Sequence, residues 1–274
     1  MTVVALLLAA HKTILWPHAI SALFYTTDYY NAILGDPNTG FSHTWSLGIE
    51  EQFYLLWPFV FAKFCHDLKK MTVLLATIVG VVWVHRCVLY FLFHFDQAYF
   101  YAAFDTRLDS LMVGCLLAVL LKRGVFMSLW QAACRNIVMP LLTCTLLLAS
   151  IFAGPMLVPR YRDLIGFAVD PLLVAVIIVQ MLALSSTAYL NWLEWSWVRF
   201  LGDISYSLYL WQQTTLSLSA HLHLPLPIKL AVAVAFTIAV ASLSYYVVER
   251  PFLKLKDKSF RLGVRRLLIA KTAT

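Results

Sequence analysis

The chain has 274 residues, of which 61% are hydrophobic and only 13% are charged, with a net charge of +7. This composition lies outside that of soluble domains and predicts a protein that crosses a membrane several times. The basic balance does not indicate a nucleic-acid partner, because eight of the 21 basic residues lie between Arg250 and Lys271, after the last apolar run.

Apolar stretches separated by charged residues predict the membrane helices, since a helix needs roughly 20 residues to cross the hydrocarbon core. The runs are continuous instead of alternating, which disfavours a closed barrel. The predicted fold class is therefore all-α, a polytopic membrane helical bundle of about eight transmembrane segments. In chain order these segments are residues 2–24, 46–62, 71–93, 98–121, 136–154, 164–184, 199–220 and 227–248.

The basic residues predict the orientation, because Lys and Arg accumulate on the cytoplasmic side of membrane proteins. Fifteen of them follow alternate segments or lie in the tail, against three in the other connections. We predict that residues 1–252 form one domain in the inner (plasma) membrane and that residues 253–274 form a basic cytoplasmic tail. The stretch 26–44 has no Lys or Arg, so we expect it on the outer face.

The stretch "HTWSLGIEEQFYLLWP" carries Glu50 and Glu51 into the second segment. A carboxylate within the apolar slab costs on the order of 2.5–3.5 kcal/mol, so such residues usually face a bundle interior or a wet cavity and mark function. The alternative is helix capping, with Ser46 as N-cap and first-turn carboxylates that gain about 0.3–1 kcal/mol each from the helix dipole. Polar character continues deeper at Gln52 and Tyr54, which favours the functional interpretation.

His43 precedes this motif on the predicted outer face, where an imidazole can act as a base or orient another group. A solvated, non-catalytic histidine is the alternative. Helical spacing places Ser46, Glu50 and Tyr54 on one face.

The third and fourth segments contain further charges. Arg86, next to His85, needs a carboxylate or carbonyl partner in the bundle, and both structural pairing and a substrate-channel role are open. "FDTRLDSLMVG" brings Asp105, Arg107 and Asp109 into the fourth segment. Arg107 is the best candidate for binding an anion in the membrane, and a structural ion pair between helices is its alternative.

The remaining sequence gives little support for other chemistry. The five cysteines have neither CxxC spacing nor paired loop positions, so we expect buried thiols and no metal site. Patterns for nucleotide binding and zinc hydrolysis do not stand out.

The stretch "SHTWSLGIEEQFYLLWPFV" resembles the hallmark of the acyltransferase 3 family of membrane O-acyltransferases, HTWSLxxEEQFYLxWP. "FDTRLDSLMVGCLLA" is similar to the family's Arg-containing helix, and "LGDISYSLYLW" and "SYYVVERPFLK" are similar to its C-terminal helices. The resemblance implies transfer of an acyl group, commonly acetyl from acetyl-CoA, to a hydroxyl of an extracytoplasmic carbohydrate such as lipopolysaccharide, capsule, exopolysaccharide or peptidoglycan.

The resemblance also implies roles for individual residues. Glu50 and Glu51 would orient the base or the acceptor, and Arg107 would meet the acyl donor or the oxyanion. Relatives carry an essential Arg and His on N-terminal helices that we expect this chain to lack, and Gln212 stands where many relatives have His. The predicted site comprises catalytic Glu50, Glu51, His43, Ser46 and Arg107, cofactor-binding Arg107 and Arg86, and substrate-binding Tyr54, Asp105 and Asp109.

The expected partners are the lipid bilayer, acyl-CoA and a carbohydrate acceptor. Two alternatives remain at this stage. The chain could be an inactive fragment or a structural partner of a full-length acyltransferase, or it could transport a glycan or lipid precursor. Paired broken helices in corresponding halves are missing from the sequence, which counts against the transporter.

Overall fold

The computed structural model describes residues 16–134, 136, 138–158, 160–184, 188–220, 222 and 224–256, and every regular element within them is a helix. This agrees with the predicted all-α class. Most of the first predicted segment and most of the tail lie outside the described residues. The α-helices are α1 Trp16–Leu23, α2 Thr27–Leu34, α3 Trp45–Phe64, α4 Leu68–Phe91, α5 Gln97–Ala102, α6 Phe104–Arg123, α7 Met127–Ala133, α8 Val138–Phe152, α9 Gly154–Leu157, α10 Phe167–Leu184, α11 Ser196–Asp203, α12 Ser205–Ala220 and α13 Leu226–Ser244.

Three described helices are long and apolar enough to cross a membrane, judged by length and composition: Leu68–Phe91, Arg162–Leu184 and Leu226–Lys256. They correspond to the third, sixth and eighth predicted segments. The other predicted segments coincide with helices that are shorter or carry more charge. Helix α8 is apolar but has 15 residues, and α3 has 20 residues but includes Glu50 and Glu51. The expected number of about eight spans is therefore not confirmed.

The described part of the chain divides into two compact units, one within residues 16–192 and one within residues 193–256. In the smaller unit α12 packs along α13, and the hydroxyls of Thr215 and Thr237 lie 2.6 Å apart in their buried interface. Ser207 on α12 also donates a hydrogen bond to Glu249 at 2.9 Å. The predicted domain limit at residue 252 stays a prediction.

In the larger unit, α4 and α6 run antiparallel and form its centre. Arg86 on α4 pairs with Asp109 on α6 near one end, and Arg123 donates to the hydroxyl of Thr72 at the other end, 2.7 Å away. Side chains of α3, α4, α6 and α10 meet in one apolar core, so the burial of hydrophobic surface holds these four helices together. This core consists of Phe53, Met71, Leu75, Val79, Met112, Val113, Leu117, Ala175 and Val179.

Basic residues gather at one end of α3, α4 and α6. Asp67 caps the start of α4, where its side chain accepts hydrogen bonds from the backbone of Lys70 at 3.0 Å and of Lys69 at 3.1 Å. These hydrogen bonds hold the pKa of the Asp67 carboxyl below its ordinary value, and the bond from Lys70 has the largest effect. The same end also carries Lys63, Lys122 and Arg123.

The predicted helix 98–121 is wrong in one respect, because the chain breaks there into α5 and α6. Ala103 is extended, with φ −72° and ψ 140°. At this break the hydroxyl of Thr106 lies between 2.9 and 3.2 Å from the carbonyl oxygens of Tyr99, Phe100 and Ala103. The break places Asp105 and Arg107 in the first turn of a new helix.

Candidate active site

The motif at residues 43–58 forms most of a 3₁₀ turn, Ser42–Thr44, and the first part of α3. The prediction of Ser46 as N-cap is wrong, because the turn runs directly into a helix that begins at Trp45. Ser46 lies in the first turn, and its hydroxyl donates to the carbonyl of His43 at 3.5 Å. The two residues are therefore adjacent, and their catalytic roles stay predictions.

The two carboxylates of the motif differ in exposure. Glu50 is half-buried and Glu51 is exposed, and neither has a hydrogen bond or an ion pair with a residue that the structure describes. Tyr54, one turn after Glu50, is 56% exposed. All three groups are open to a reaction partner, and the roles predicted for them stay predictions.

Gln52 and Gly48 of the same helix hold α2 in place. The side-chain amide of Gln52 donates to both carboxylate oxygens of Asp28, at 3.1 and 3.0 Å, and lies 3.0 Å from the carbonyl oxygen of Tyr25. Asp28 is fully buried, and this burial raises the pKa of its carboxyl. A Cβ on Gly48 would lie only 2.9 Å from the carbonyl oxygen of Tyr25, so α2 approaches this closely because Gly48 has no side chain.

Asp105 collects hydrogen bonds from three other helices at the start of α6. Tyr29 of α2 donates to it at 3.0 Å, Tyr99 of α5 at 3.3 Å, and Nε2 of His85 on α4 lies 2.7 Å from Oδ2. Burial, and next the charge of Asp105, raise the pKa of the Tyr29 phenol. The side chains of His85 and Asp105 are 39% and 29% exposed, so the pair is accessible.

Arg86 and Asp109 form a second pair, which is almost completely buried. Arg86 donates to Oδ2 of Asp109 at 2.6 Å and to the carbonyl of Thr106 at 3.1 Å, and Trp83 donates to the same Oδ2 at 2.9 Å. Each side chain of the pair is 1% exposed. This geometry favours structural pairing, which the sequence left open, over the cofactor role of Arg86 and the substrate role of Asp109.

Arg107 lies on another face of α6 and lines a cavity of about 320 Å³ between α6 and α10. Its guanidinium lies 3.9 Å from the ring centre of Phe167 and has no hydrogen bond or ion pair with a described residue. Arg162 lines the same cavity. Such an arrangement can bind an anion, and the role predicted for Arg107 stays a prediction.

Sequence reasoning missed several members of this region, among them His85, which was considered only as the neighbour of Arg86. Asp28 and Tyr29 lie in the polar stretch 26–44, where only the lack of basic residues drew attention, and Arg162 was counted as a loop charge. One signal was available: a carboxylate, Asp28, sits beside a phenol in an otherwise apolar chain.

The sequence matches the model of a family described as an acyltransferase domain, over residues 2–247. The chain belongs to this acyltransferase family. The match covers most of both compact units and agrees with the resemblance of the motif.

Relatives of this acyltransferase chain carry related names. The chain is 29% identical over 268 residues to YrhL of Bacillus subtilis (strain 168), which by its name is a candidate peptidoglycan O-acetyltransferase. This match covers 92% of the chain and 41% of YrhL. The chain is 27% identical over 258 residues to peptidoglycan O-acetyltransferase OatA of Listeria monocytogenes, covering 87% and 40%, respectively. A shorter match, 34% over 110 residues, links it to O-acetyltransferase OatA of Staphylococcus aureus, covering 36% and 18%. The chain thus spans less than half the length of these relatives, and no solved structure matches it.

Proposed function

We propose that this chain transfers an acetyl group from acetyl-CoA to a hydroxyl of an extracytoplasmic glycan, with peptidoglycan as the acceptor. The family match supports acyl transfer, and the names of the relatives support the acetyl group and the acceptor. The proposal includes the inner membrane as location, with the basic end of α3, α4 and α6 in the cytoplasm.

One observation carries the mechanism: the contact between Nε2 of His85 and Asp105 at 2.7 Å. A carboxylate that accepts the Nε2 proton fixes the tautomer in which Nδ1 is basic. Nδ1 has no hydrogen bond with a described residue, and the imidazole is 39% exposed, so it can reach an acceptor hydroxyl. We therefore assign the role of general base to His85.

In the proposed reaction, Nδ1 of His85 removes the hydroxyl proton of the glycan while the oxygen attacks the carbonyl carbon of the thioester. The carbon–sulfur bond then breaks, the acetyl ester remains on the glycan, and the imidazolium returns its proton to the thiolate of CoA. Glu50 and Glu51 keep their predicted task of orienting the acceptor. Arg107 lies two residues from Asp105 and thus on a different face of α6, so its predicted role toward the oxyanion is not needed for this step.

The test is to express the chain in bacteria that lack peptidoglycan O-acetyltransferase and to measure acetate released by mild alkali from isolated peptidoglycan. We expect ester with the unaltered chain and a loss of at least about 100-fold with His85→Asn, since general bases contribute roughly 10²–10⁴ in rate. Glu51→Gln is expected to abolish the ester as well, without loss of membrane protein.

His94→Asn is the matched control, because His94 is exposed, has positive φ that Asn tolerates, and lies near the same end of α4. It should leave the ester unchanged. Full ester with His85→Asn would disprove the role of His85. No ester with the unaltered chain at normal membrane levels would disprove the activity and favour a structural partner of another acyltransferase.

A further inference from the structure

The cavity beside Arg107 is a groove that follows one stripe of α6. Arg107, Ser110, Gly114 and Leu117 line it at intervals of three or four residues. The ten helical rises between Arg107 and Leu117 span about 15 Å along the helix. The groove is therefore long and narrow, with different chemistry at its two ends.

One end is cationic. Arg107 and Arg162 lie 3.9 and 5.6 Å from the ring centre of Phe167, and neither has an acidic partner among the described residues. Ser110 adds a buried hydroxyl without a hydrogen-bond partner. Asp170 also lines the groove, but it accepts a hydrogen bond from Ser150 at 2.5 Å. Two guanidinium groups against one carboxylate leave a net positive charge.

This pattern differs from that of other arginines in the same unit. Arg86 pairs with Asp109 and Arg160 pairs with Asp163, at 2.6 and 2.7 Å. Planar guanidinium groups bind phosphate through two parallel hydrogen bonds, so the cationic end fits a phosphate.

The other end is apolar and open at the side. Val174 and Ile178 line it together with Leu117, yet they are 42% and 45% exposed. Both lie on the helix Arg162–Leu184, which is long and apolar enough to cross a membrane. The opening therefore faces the surface that lipid chains would cover, and an occupant enters from the bilayer.

We propose that the groove binds a lipid phosphate, with the phosphate between Arg107 and Arg162 and one acyl or isoprenoid chain along Gly114, Leu117 and Ile178. The proposal does not rest on acetyl transfer, because the groove lies on a different face of α6 from Asp105, the partner of His85.

The probe is dioleoyl phosphatidic acid, added to the full chain in a neutral detergent, and bound lipid is measured by native mass spectrometry. Arg162→Gln should raise the Kd of the lipid at least about tenfold, because the variant loses one charge-assisted hydrogen bond to the phosphate. Arg123→Gln, at the opposite end of α6, is the control and should bind like the unaltered chain.

A second variant fills the groove without a change of charge. A Cβ on Gly114 would meet no atom within 4 Å, so Gly114→Leu should fold and occupy the space of the chain. This variant should weaken the binding of dioleoyl phosphatidic acid about tenfold, because a few methylene groups of the lipid are no longer buried. The binding of dihexanoyl phosphatidic acid, whose chains are shorter, should change much less.

Three outcomes would overturn the proposal. Equal binding of phosphatidylcholine and phosphatidic acid would show that the phosphate is not recognised. If inorganic phosphate competes with the lipid, and Gly114→Leu binds the lipid as well as the unaltered chain does, the groove is a site for free phosphate. Unchanged binding to Arg162→Gln would place the lipid elsewhere, and if that variant fails to fold, the series with Gly114→Leu decides alone.

Discussion

At the scale of single residues, Gly48 shows how the motif supports the site. A Cβ there would lie 2.9 Å from the carbonyl oxygen of Tyr25 and 3.1 Å from Oδ1 of Asp28. Backbone atoms cannot move away without shifting α2. We expect Gly48→Ala to destabilise the protein by about 1–3 kcal/mol, the usual cost of overpacking, visible as a lower Tm in detergent.

Gly80→Ala on α4 is the matched control. A Cβ at Gly80 would meet no atom within 4 Å, and Ala is the better helix former by about 1 kcal/mol. Its Tm should stay the same or rise. Similar Tm values for the two variants would contradict the close approach of α2 to Gly48.

The sequence predicted part of the site and missed its pairing. Glu50, Glu51, Asp105 and Arg107 could be chosen because each places a charge in an apolar run. The contact between His85 and Asp105 could not be predicted, since it joins positions 20 residues apart on two helices. Tyr29 donates to the same carboxylate although the two residues are 76 positions apart in the sequence, and only the packing of α2 brings them together.

At the scale of helices, the charged residues between apolar runs located α3 and α4 to within a few residues. The break between α5 and α6 was missed, because "QAYFYAAFDTRL" has neither Pro nor Gly. The buried hydroxyl of Thr106 contacts the Tyr99, Phe100 and Ala103 carbonyls at the break. The Tyr99 and Ala103 carbonyls also accept backbone N–H groups, so the hydroxyl matters most for the Phe100 carbonyl. Such a side-chain hydrogen bond leaves no signal in hydrophobic periodicity.

Thr106→Val tests this account, because it keeps the shape of the side chain and removes the hydroxyl. The buried Phe100 carbonyl would lose its hydrogen bond, and a buried carbonyl without a partner costs about 1–3 kcal/mol, so we expect a lower Tm. Acetylation should also fall, because Asp105 is the neighbouring residue. Thr106→Ser retains the hydroxyl, so its Tm and its acetylation should stay close to those of the unaltered protein. Equal losses of Tm and acetylation in the two variants would show that the hydroxyl is not the cause.

At the scale of the whole molecule, the larger unit separates its charges along α4 and α6. Lys69, Lys70, Lys122 and Arg123 lie at one end, and Asp105 with its partners lies at the other. Helices of 20 residues such as α3 and α6 are about 30 Å long, close to the thickness of a hydrocarbon core, although both carry charged residues in their first two turns. Basic residues favour the cytoplasmic side, so the site that we propose for acetyl transfer would face the glycan side.

Cysteine labelling in intact cells checks this orientation. Asp36 and Lys69 are both exposed and lie near opposite ends of α3, before its start and after its end. In a background with the five native cysteines changed to Ser, a membrane-impermeant maleimide should label Asp36→Cys in intact cells and Lys69→Cys only after permeabilisation. The reverse pattern would put His85 and Asp105 on the cytoplasmic side, away from the glycan, and acetyl transfer to an extracytoplasmic acceptor would then lack its site.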